Sequence, residues 1–147
     1  MRYGEIEIGV YHRFHAPADL VVEKVEYISG DTWNVNPITL KRVERLFCRN
    51  ERAVLACRMR DGTPLMIVPV AAILVAGIRF QFLDTSTLLR DGGPRRVRCD
   101  VRVMRGVELG WFEHGSTILL VVPASFRLAA GVVEGDRMRA GQPLFQR

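Results

Sequence analysis

Cysteine is scarce in this sequence, which contains only Cys48, Cys57 and Cys99 among its 147 residues. The three lie far apart and form no Cys-x-x-Cys pair, so they predict neither a disulfide framework nor a thiolate zinc site. Such cysteine usage is typical of proteins that work in a reducing compartment. We therefore expect a cytoplasmic protein that binds no metal.

Long apolar segments are also missing. The longest apolar run, Leu65 to Ile78, has 14 residues, whereas a helix needs about 20 residues to cross a bilayer. The first ten residues, MRYGEIEIGV, lack the basic and then apolar pattern of a signal peptide. From these two observations we expect neither a membrane-spanning helix nor a secretion signal.

Proline and glycine are not abundant, at 7 and 13 residues, and 48% of the chain is hydrophobic and 25% charged. This composition is that of a folded protein rather than a disordered or collagen-like one. A chain of this length has room for one hydrophobic core. We therefore expect a single domain over residues 1–147.

Lysine is nearly absent. Lys24 and Lys41 are the two lysines, and the rest of the 21 basic residues are arginine. The net charge is +5. The guanidinium group suits phosphate, so charge alone allows a nucleic acid, an anionic membrane surface or a phosphorylated substrate. A genome that favours arginine codons would give the same composition. No nucleic-acid-binding motif occurs, so we expect no nucleic acid as partner.

Helix signals are few, and alternation of apolar and polar residues dominates the chain. From Arg96 to Met104 the valines and Cys99 fall on one face and the charged residues on the other, as in a strand with one wet face. Glu5 to Ile8 alternates in the same way. Two further segments, Leu20 to Ile28 and Arg52 to Arg60, are rich in valine and leucine and bounded by turn residues, so they are also predicted strands.

The apolar stretch from Leu65 to Phe82 is too long for one typical strand and is interrupted by Pro69 and Gly77. It is interpreted as two buried strands joined by a bend, since the proline disfavours a core helix. Only Thr39 to Phe47 has apolar residues at helical spacing, with Thr39 as the predicted cap. The predicted fold is mainly β, a single-domain antiparallel β-sandwich or barrel-like core with one short helix.

Two of only three histidines, His12 and His15, lie in the short segment from Tyr11 to Pro17. A zinc site would need further ligands, and on an extended strand a spacing of three directs side chains to opposite faces. Imidazole titrates near neutral pH, so either ring could take or give a proton in catalysis. Taken alone, the segment is more typical of histidines that fill the surface or core.

A second unusual segment runs from Glu108 to Thr117 and leads into the apolar strand Ile118 to Pro123. At its end, Gly115 precedes the two hydroxyl side chains of Ser116 and Thr117 at the entrance of that strand. Gly-Ser pairs are common in turns. By itself this segment predicts only a turn.

Together and in this order, such segments resemble the C-terminal catalytic portion of the phosphatidylserine decarboxylase family. Each segment is weak alone, and their shared order over nearly the whole chain makes the set specific. The resemblance is carried by Tyr11-His12-Arg13-Phe14-His15-Ala16-Pro17, Asn34-Val35-Asn36-Pro37, Leu46-Phe47-Cys48-Arg49-Asn50-Glu51-Arg52, Val68-Pro69-Val70-Ala71-Ala72, Glu108-Leu109-Gly110-Trp111-Phe112-Glu113-His114-Gly115-Ser116-Thr117 and Gly141-Gln142-Pro143-Leu144.

The resemblance implies a lyase that is made as a self-cleaving zymogen. Members of the family cut their backbone before the serine of a Gly-Ser-Thr motif and convert that serine into an N-terminal pyruvoyl group. Here the bond joins Gly115 to Ser116, and its cleavage would give fragments 1–115 and 116–147. A pyruvoyl group withdraws the electrons released in decarboxylation, a role otherwise taken by pyridoxal phosphate.

The resemblance also implies roles for individual side chains. His15 corresponds to the histidine that helps to activate Ser116 for self-cleavage, and His12 to the one implicated in protonating the carbanion after carbon dioxide leaves. His114 and Thr117, on either side of the cleavage site, are auxiliary candidates. His114 is interpreted either as a further base or as a solvated turn residue.

The family carries, upstream of these motifs, a Pro-x-Asp-Gly segment whose aspartate orients and charges the histidine. This chain begins downstream of that segment, and Asp19 aligns with a different family position. One hypothesis is a pyruvoyl-dependent decarboxylase, and the other is a non-cleaving descendant that acts as a binding protein or cofactor-free enzyme through the same pocket. A split form, with its front half in another polypeptide, is the third interpretation.

The implied substrate is an amine-bearing carboxylate, either phosphatidylserine or a smaller amino acid. A phospholipid substrate would imply peripheral contact with the inner face of the membrane by a cytoplasmic protein. The protein partners to expect are a second copy of the chain, in a homodimer, or a separate N-terminal segment.

Overall fold

In the computed structural model, residues 2–8, 11–72, 77–85, 95–113 and 116–147 are described. They form short and medium strands with two short helices, so the prediction of a mainly β fold is confirmed. The elements are β1 (Arg2–Ile8), β2 (Arg13–His15), β3 (Leu20–Ile28), α1 (Pro37–Arg42), α2 (Leu46–Arg49), β4 (Arg52–Met59), β5 (Pro64–Ala71), β6 (Ile78–Phe80), β7 (Arg95–Val103), β8 (Glu108–Phe112), β9 (Ser116–Val122), β10 (Arg127–Leu128) and β11 (Phe145–Gln146).

These strands form two main antiparallel sheets. The larger has six strands in the order β1-β9-β5-β4-β3-β7, and the smaller has three in the order β2-β8-β6. Strands β10 and β11 pair separately. In β7 the residues alternate between half-buried and exposed along the whole strand, as the sequence pattern predicts.

One hydrophobic core joins the two sheets. Val25 and Leu55 of the larger sheet belong to the same buried cluster as Phe14, Ile78 and Phe112 of the smaller sheet. The ring of Phe14 packs at 5.3 Å from that of Phe112, measured between centroids. Because each large apolar side chain contributes about 1.5–3 kcal/mol on full burial, this shared cluster holds the sheets together.

The long apolar stretch forms two strands, as predicted, with β5 ending at Ala71 and β6 beginning at Ile78. Residues 73–76 of the predicted bend lie outside the described residues. Pro69 lies inside β5, where the ladder to β4 pairs Arg52 with Val70 and Leu55 with Ile67 but passes over the proline. The missing N–H of proline accounts for that interruption.

The predicted helix from Thr39 to Phe47 is divided into α1 and α2, and its predicted cap is wrong. The N-cap of α1 is Asn36, whose side-chain oxygen accepts the Thr39 N–H at 2.8 Å, and proline follows at the start of the helix. Arg45 has a left-handed backbone (φ 53) and separates the two helices. Neither helix is long enough to cross a membrane.

Candidate functional site

Three connections link the larger sheet to the smaller one, and the described strand ends on either side of them pair with one another; we call this region the sheet junction. The first leads from β1 to β2, the second from β8 to β9, and the third from β5 to β6. The β8–β9 segment is the middle one, because β9 lies between β1 and β5 and β8 lies between β2 and β6. The candidate cleavage site falls on this middle segment.

The β1–β2 and β8–β9 segments keep one register on both sides of the junction. Ile8 pairs with Ser116 in the larger sheet, and five positions along each chain Arg13 pairs with Trp111 in the smaller sheet. Between them, the Phe112 N–H donates to the His12 carbonyl oxygen at 2.8 Å. The described residues on both sides of the junction therefore keep one antiparallel register, and we call these paired residues the ribbon.

Ser116 is the first residue of β9 on the larger-sheet side of the junction. Its backbone lies between Ile8 of β1 and Ala71 of β5, and the next residue, Thr117, is buried. Residues His114 and Gly115, which the sequence assigns to the cleavage site, lie outside the described residues, as does the side chain of Ser116. The structure thus describes the strand that follows the candidate bond.

His12 lies on the ribbon that it shares with Ser116. Its ring nitrogen Nδ1 is buried and has no hydrogen-bond partner among the described residues. Buried polar atoms are nearly always hydrogen-bonded in folded proteins, so this nitrogen is suited to a partner that comes and goes. The prediction that His12 acts on a bound group remains a prediction, and this nitrogen is the atom that could do so.

His15 points to a different environment. A β-bulge between Phe14 and His15 shifts the register against β8, and the His15 ring stacks on that of Tyr11 at a centroid distance of 5.7 Å. The Tyr11 hydroxyl lies 3.2 Å from His15 Nε2. The His15 ring therefore contacts Tyr11, whereas the buried ring nitrogen of His12 has no partner among the described residues.

A charged cluster on the smaller sheet surrounds the strand partner of His15. Glu108 pairs with His15 across the ladder, and its carboxylate accepts two hydrogen bonds from Arg13 Nη1, at 2.7 and 2.8 Å, and one from Gln81. These hydrogen bonds, that from Arg13 first, lower the pKa of Glu108. The neighbourhood of His15 therefore contains a carboxylate that stays ionised at neutral pH.

Two further acidic residues, Glu51 and Glu113, lie near the junction. Glu51 is buried and accepts a hydrogen bond from the Tyr27 hydroxyl, while Glu113 accepts one from Arg79 Nε at 3.0 Å. Burial raises the pKa of Glu51, and the hydrogen bond from Tyr27 and the charge of Arg79 offset part of this rise. Glu113 immediately precedes the candidate cleavage segment, so the charges of this group lie close to it.

Sequence reasoning missed Asn50 and Glu51 as site residues, although both belong to a segment that carries the family resemblance. Asn50 is fully buried, and its side-chain Nδ2 donates to the Ala71 carbonyl oxygen at 2.9 Å. The available signal was a polar pair placed directly before an apolar strand. Such a pair is unusual because buried amides and carboxyls need specific partners.

Asp19 takes a structural role in the described residues. Its Oδ1 accepts the backbone N–H of Arg105 at 2.9 Å, and its carbonyl accepts the N–H of Arg60. It therefore connects the start of β3 with the loops that follow β4 and β7. Within the described ranges, no three His, Cys, Asp or Glu residues lie together as metal ligands would.

Comparison with known proteins agrees with the sequence motifs. The sequence model of the phosphatidylserine decarboxylase family matches residues 6–146. The chain is 35% identical to phosphatidylserine decarboxylase proenzyme 1, mitochondrial, of Schizosaccharomyces pombe, over 92% of this chain and 34% of that protein. It is 36% identical to the phosphatidylserine decarboxylase proenzyme of Shewanella frigidimarina, over 90% of this chain and 49% of the relative.

A third relative, the phosphatidylserine decarboxylase proenzyme of Brevibacillus brevis, is 31% identical over 91% of this chain and 49% of its own length. The chain thus spans half or less of the length of these curated relatives. All three matches cover most of this chain, and the family model spans the junction and its histidine segment.

Proposed function

Because this chain belongs to the phosphatidylserine decarboxylase family, we propose that it is a pyruvoyl-dependent decarboxylase of an amine-bearing carboxylate. Phosphatidylserine is the proposed substrate, since the relatives are named for it. The pyruvoyl group would come from Ser116 by self-cleavage of the Gly115–Ser116 bond.

One observation carries this proposal. Ser116 begins β9, an interior strand of the larger sheet, at the sheet junction. It lies on the ribbon that also carries His12, whose buried ring nitrogen has no partner among the described residues. A reactive serine needs a fixed backbone and a base within hydrogen-bond reach. Strand pairing on both sides supplies the first of these, and the histidine segment is the source of the second.

Self-cleavage balances with groups that the chain itself provides and one water molecule. His15, the proposed base, takes the proton of Ser116 Oγ, which attacks the Gly115 carbonyl carbon, and His15 returns a proton to the Ser116 nitrogen as the carbon–nitrogen bond breaks and an ester forms. Removal of the Ser116 Cα proton then expels the carboxylate of Gly115, which ends the covalent link between 1–115 and 116–147. Water hydrolyses the remaining enamine, through its imine form, and releases ammonia, which leaves a ketone at the start of 116–147.

The residues present fit a pyruvoyl group at this position. When formed, the group supplies an electron sink for the carbon–carbon bond that breaks. His12 is the proposed proton donor to the substrate carbon, because its Nδ1 is buried and uses no described residue as partner.

The proposed partners follow from this substrate. A phospholipid would bring the protein into peripheral contact with a membrane at the cytoplasmic face. A second copy of the chain, or a separate segment that carries the family aspartate, are the proposed protein partners. The aspartate segment would act by orienting His15.

Intact mass spectrometry of the purified chain tests the proposal. We expect fragments 1–115 and 116–147, the latter beginning with a ketone that reacts with hydroxylamine or a hydrazine. Ser116→Ala should abolish both fragments, whereas the matched variant Ser125→Ala, at an exposed position of a turn, should cleave as the wild type does. His15→Ala should prevent cleavage.

His12→Ala separates the two proposed histidine roles, because it should permit cleavage but abolish release of carbon dioxide from phosphatidylserine. A wild-type chain that stays whole, both alone and with an added segment that carries the family aspartate, would contradict the proposal. That result would favour a non-cleaving descendant that acts as a binding protein or cofactor-free enzyme.

A further inference from the structure

The side chain of Asn50, near the sheet junction, is buried and has hydrogen-bond partners for both its oxygen and its nitrogen. It is 0% exposed, its Oδ1 accepts the Trp33 N–H at 3.0 Å, and its Nδ2 donates to the Trp33 carbonyl at 2.7 Å and to the Ala71 carbonyl at 2.9 Å. A primary amide can do this because it carries two donors and one acceptor. No other side chain could replace it at the same length.

These bonds extend the sheet beyond the end of a strand. Strand β4 begins at Arg52. The backbone of Ala71, at the end of β5, nevertheless forms hydrogen bonds with residues that precede β4. Its N–H donates to the Glu51 carbonyl at 2.8 Å, and its own carbonyl accepts from the Asn50 side chain. The amide of Asn50 therefore takes the place of a backbone donor where the chain leaves the ladder.

Ala71 is the strand partner of Ser116. Because both backbone polar groups of Ala71 are directed to Asn50 and Glu51, the Ala71–Ser116 pair is of the non-hydrogen-bonded kind, in which Cα atoms approach to about 4.5 Å. In a regular ladder the Ser116 backbone groups then face Ile8 on the other side. The hydrogen bond from Phe112 to His12 has this same alternation on the ribbon.

Asn50 is itself firmly placed from outside the sheet. Its N–H donates to Leu46 at the end of α2, and Leu46 packs with Val35 and Ala72 in a small buried cluster. Ala72 directly follows the strand partner of Ser116. The helical segment and the Asn50 amide therefore meet the end of β5 from two directions, at the level where β9 begins.

From this arrangement we infer that Asn50 is a positioning residue for Ser116, which acts by holding Ala71 at the end of β5. The inference rests on the proposed function, because it assigns a supporting residue to the proposed self-cleavage site. Asn50 does not contact the reacting atoms. It fixes the strand beside Ser116, so its loss would let the backbone at the cleavage site move out of the geometry for attack.

Cleavage kinetics test the inference with two variants. Asn50→Ala removes both donors, and Asn50→Asp keeps the acceptor for Trp33 but turns a carboxylate oxygen toward the Ala71 carbonyl. Each should slow self-cleavage by about 10-fold or more, since a buried carbonyl left without a partner is costly. The matched control is Asn36→Asp, which keeps the acceptor that caps α1 and should cleave at the wild-type rate.

A second control separates positioning from general loss of stability. Val22→Ala opens a cavity at a fully buried position of β3 and should lower the melting temperature without slowing cleavage at a temperature where the chain is folded. Both Asn50 variants should be slow at that temperature. The pH dependence of the cleavage rate should keep its shape in Asn50→Ala, whereas Asn50→Asp should be slow wherever its carboxyl is ionised. Wild-type cleavage rates in folded Asn50→Ala and Asn50→Asp would overturn the inference.

Hydrogen exchange provides a measurement that does not depend on cleavage. In the uncut Ser116→Ala chain, adding Asn50→Asp should speed amide exchange about 10-fold or more in the peptides that contain 66–72 and 116–122, because local opening follows the loss of the buried bonds. Adding Val22→Ala should change the amide exchange rates of these two regions no more than those of the rest of the protein. Unchanged protection in both peptides would overturn the inference even if the wild-type chain never cleaves, whereas changed protection with no cleavage would contradict the proposed function alone.

Discussion

At the scale of single residues, the roles depend on partners that lie far away in the chain. Tyr27 and Glu51 form a buried pair in which the phenol donates and the carboxyl accepts. Burial and the contact with Glu51 raise the pKa of Tyr27, so the phenol remains the donor over the whole neutral range. Arg79 and Glu113 are the other charged groups that affect Glu51.

The raised pKa of Glu51 predicts a pH dependence of stability. The folded protein holds the Glu51 proton at a pH where the unfolded chain has released it, so the free energy of unfolding falls as pH rises above 4.5, the ordinary value for this carboxyl. Glu51→Gln removes this titration and keeps an oxygen that can accept from Tyr27. Its melting temperature should therefore rise relative to the wild type as pH increases from acid to neutral.

Thermal denaturation of both proteins between acid and neutral pH measures this difference. Glu134→Gln, at an exposed position, is the matched control, and its melting temperature should follow that of the wild type at every pH. A constant difference between Glu51→Gln and the wild type over the whole range would contradict the prediction.

At the scale of elements, the smaller sheet depends on close approach of its three strands. Gly110 of β8 pairs with Phe14 of β2 and with Phe80 of β6. A Cβ atom at Gly110 would overlap the Arg79 carbonyl oxygen and approach Phe14 Cζ to 2.8 Å. Because the first of these neighbours is backbone, a side chain at this position requires the strands to separate.

Gly110→Ala is therefore expected to destabilise the protein by about 1–3 kcal/mol, the usual cost of an overpacked core position. Chemical denaturation followed by circular dichroism measures the change. The loss should appear in the midpoint of the transition rather than in its slope. A midpoint equal to that of the wild type would contradict the close packing of β8 against β6.

At the scale of the whole molecule, the strand that follows the candidate cleavage bond is an interior strand of the larger sheet. β9 pairs with β1 on one side and with β5 on the other along nearly its whole length. Leu120, Val122 and Phe126, which follow the bond, belong to the core cluster that joins the two sheets. Cutting the backbone before Ser116 therefore leaves β9 paired on both sides with strands of the N-terminal piece.

We expect fragments 1–115 and 116–147 to remain associated without a covalent link. Co-expression of the two as separate chains, with an affinity tag on 116–147, should recover both in native buffer. The reason is that β9 of the tagged piece pairs with β1 and with β5 of the other piece. In denaturant they should separate. Leu120→Asp in the tagged piece places a charge in the core and should abolish recovery of 1–115, whereas loss of 1–115 from the unaltered pair would contradict the prediction.

Much of this organisation could be predicted from the sequence. Alternation identifies β7 because a half-buried strand imposes a period of two on its own residues. Valine- and leucine-rich composition between turn residues identifies β3 and β4. The order of the motifs indicates the family, and Pro69 with Gly77 indicates two strands where the hydrophobic run alone allows a helix. The division of the predicted helix was missed, because the Asn36 cap and the left-handed Arg45 interrupt an otherwise regular apolar stripe.

The sequence by itself determined the class of fold, the family and the identities of Ser116, His12 and His15 as candidates, since these depend on local patterns and motifs. Only the tertiary structure decided that Ser116 begins an interior strand between Ile8 and Ala71, that the two histidine rings have different surroundings, and that Asn50 supports the end of β5. The physical reason is that strand pairing and buried hydrogen bonds join residues that are distant in the chain. No local period or spacing specifies which of them meet.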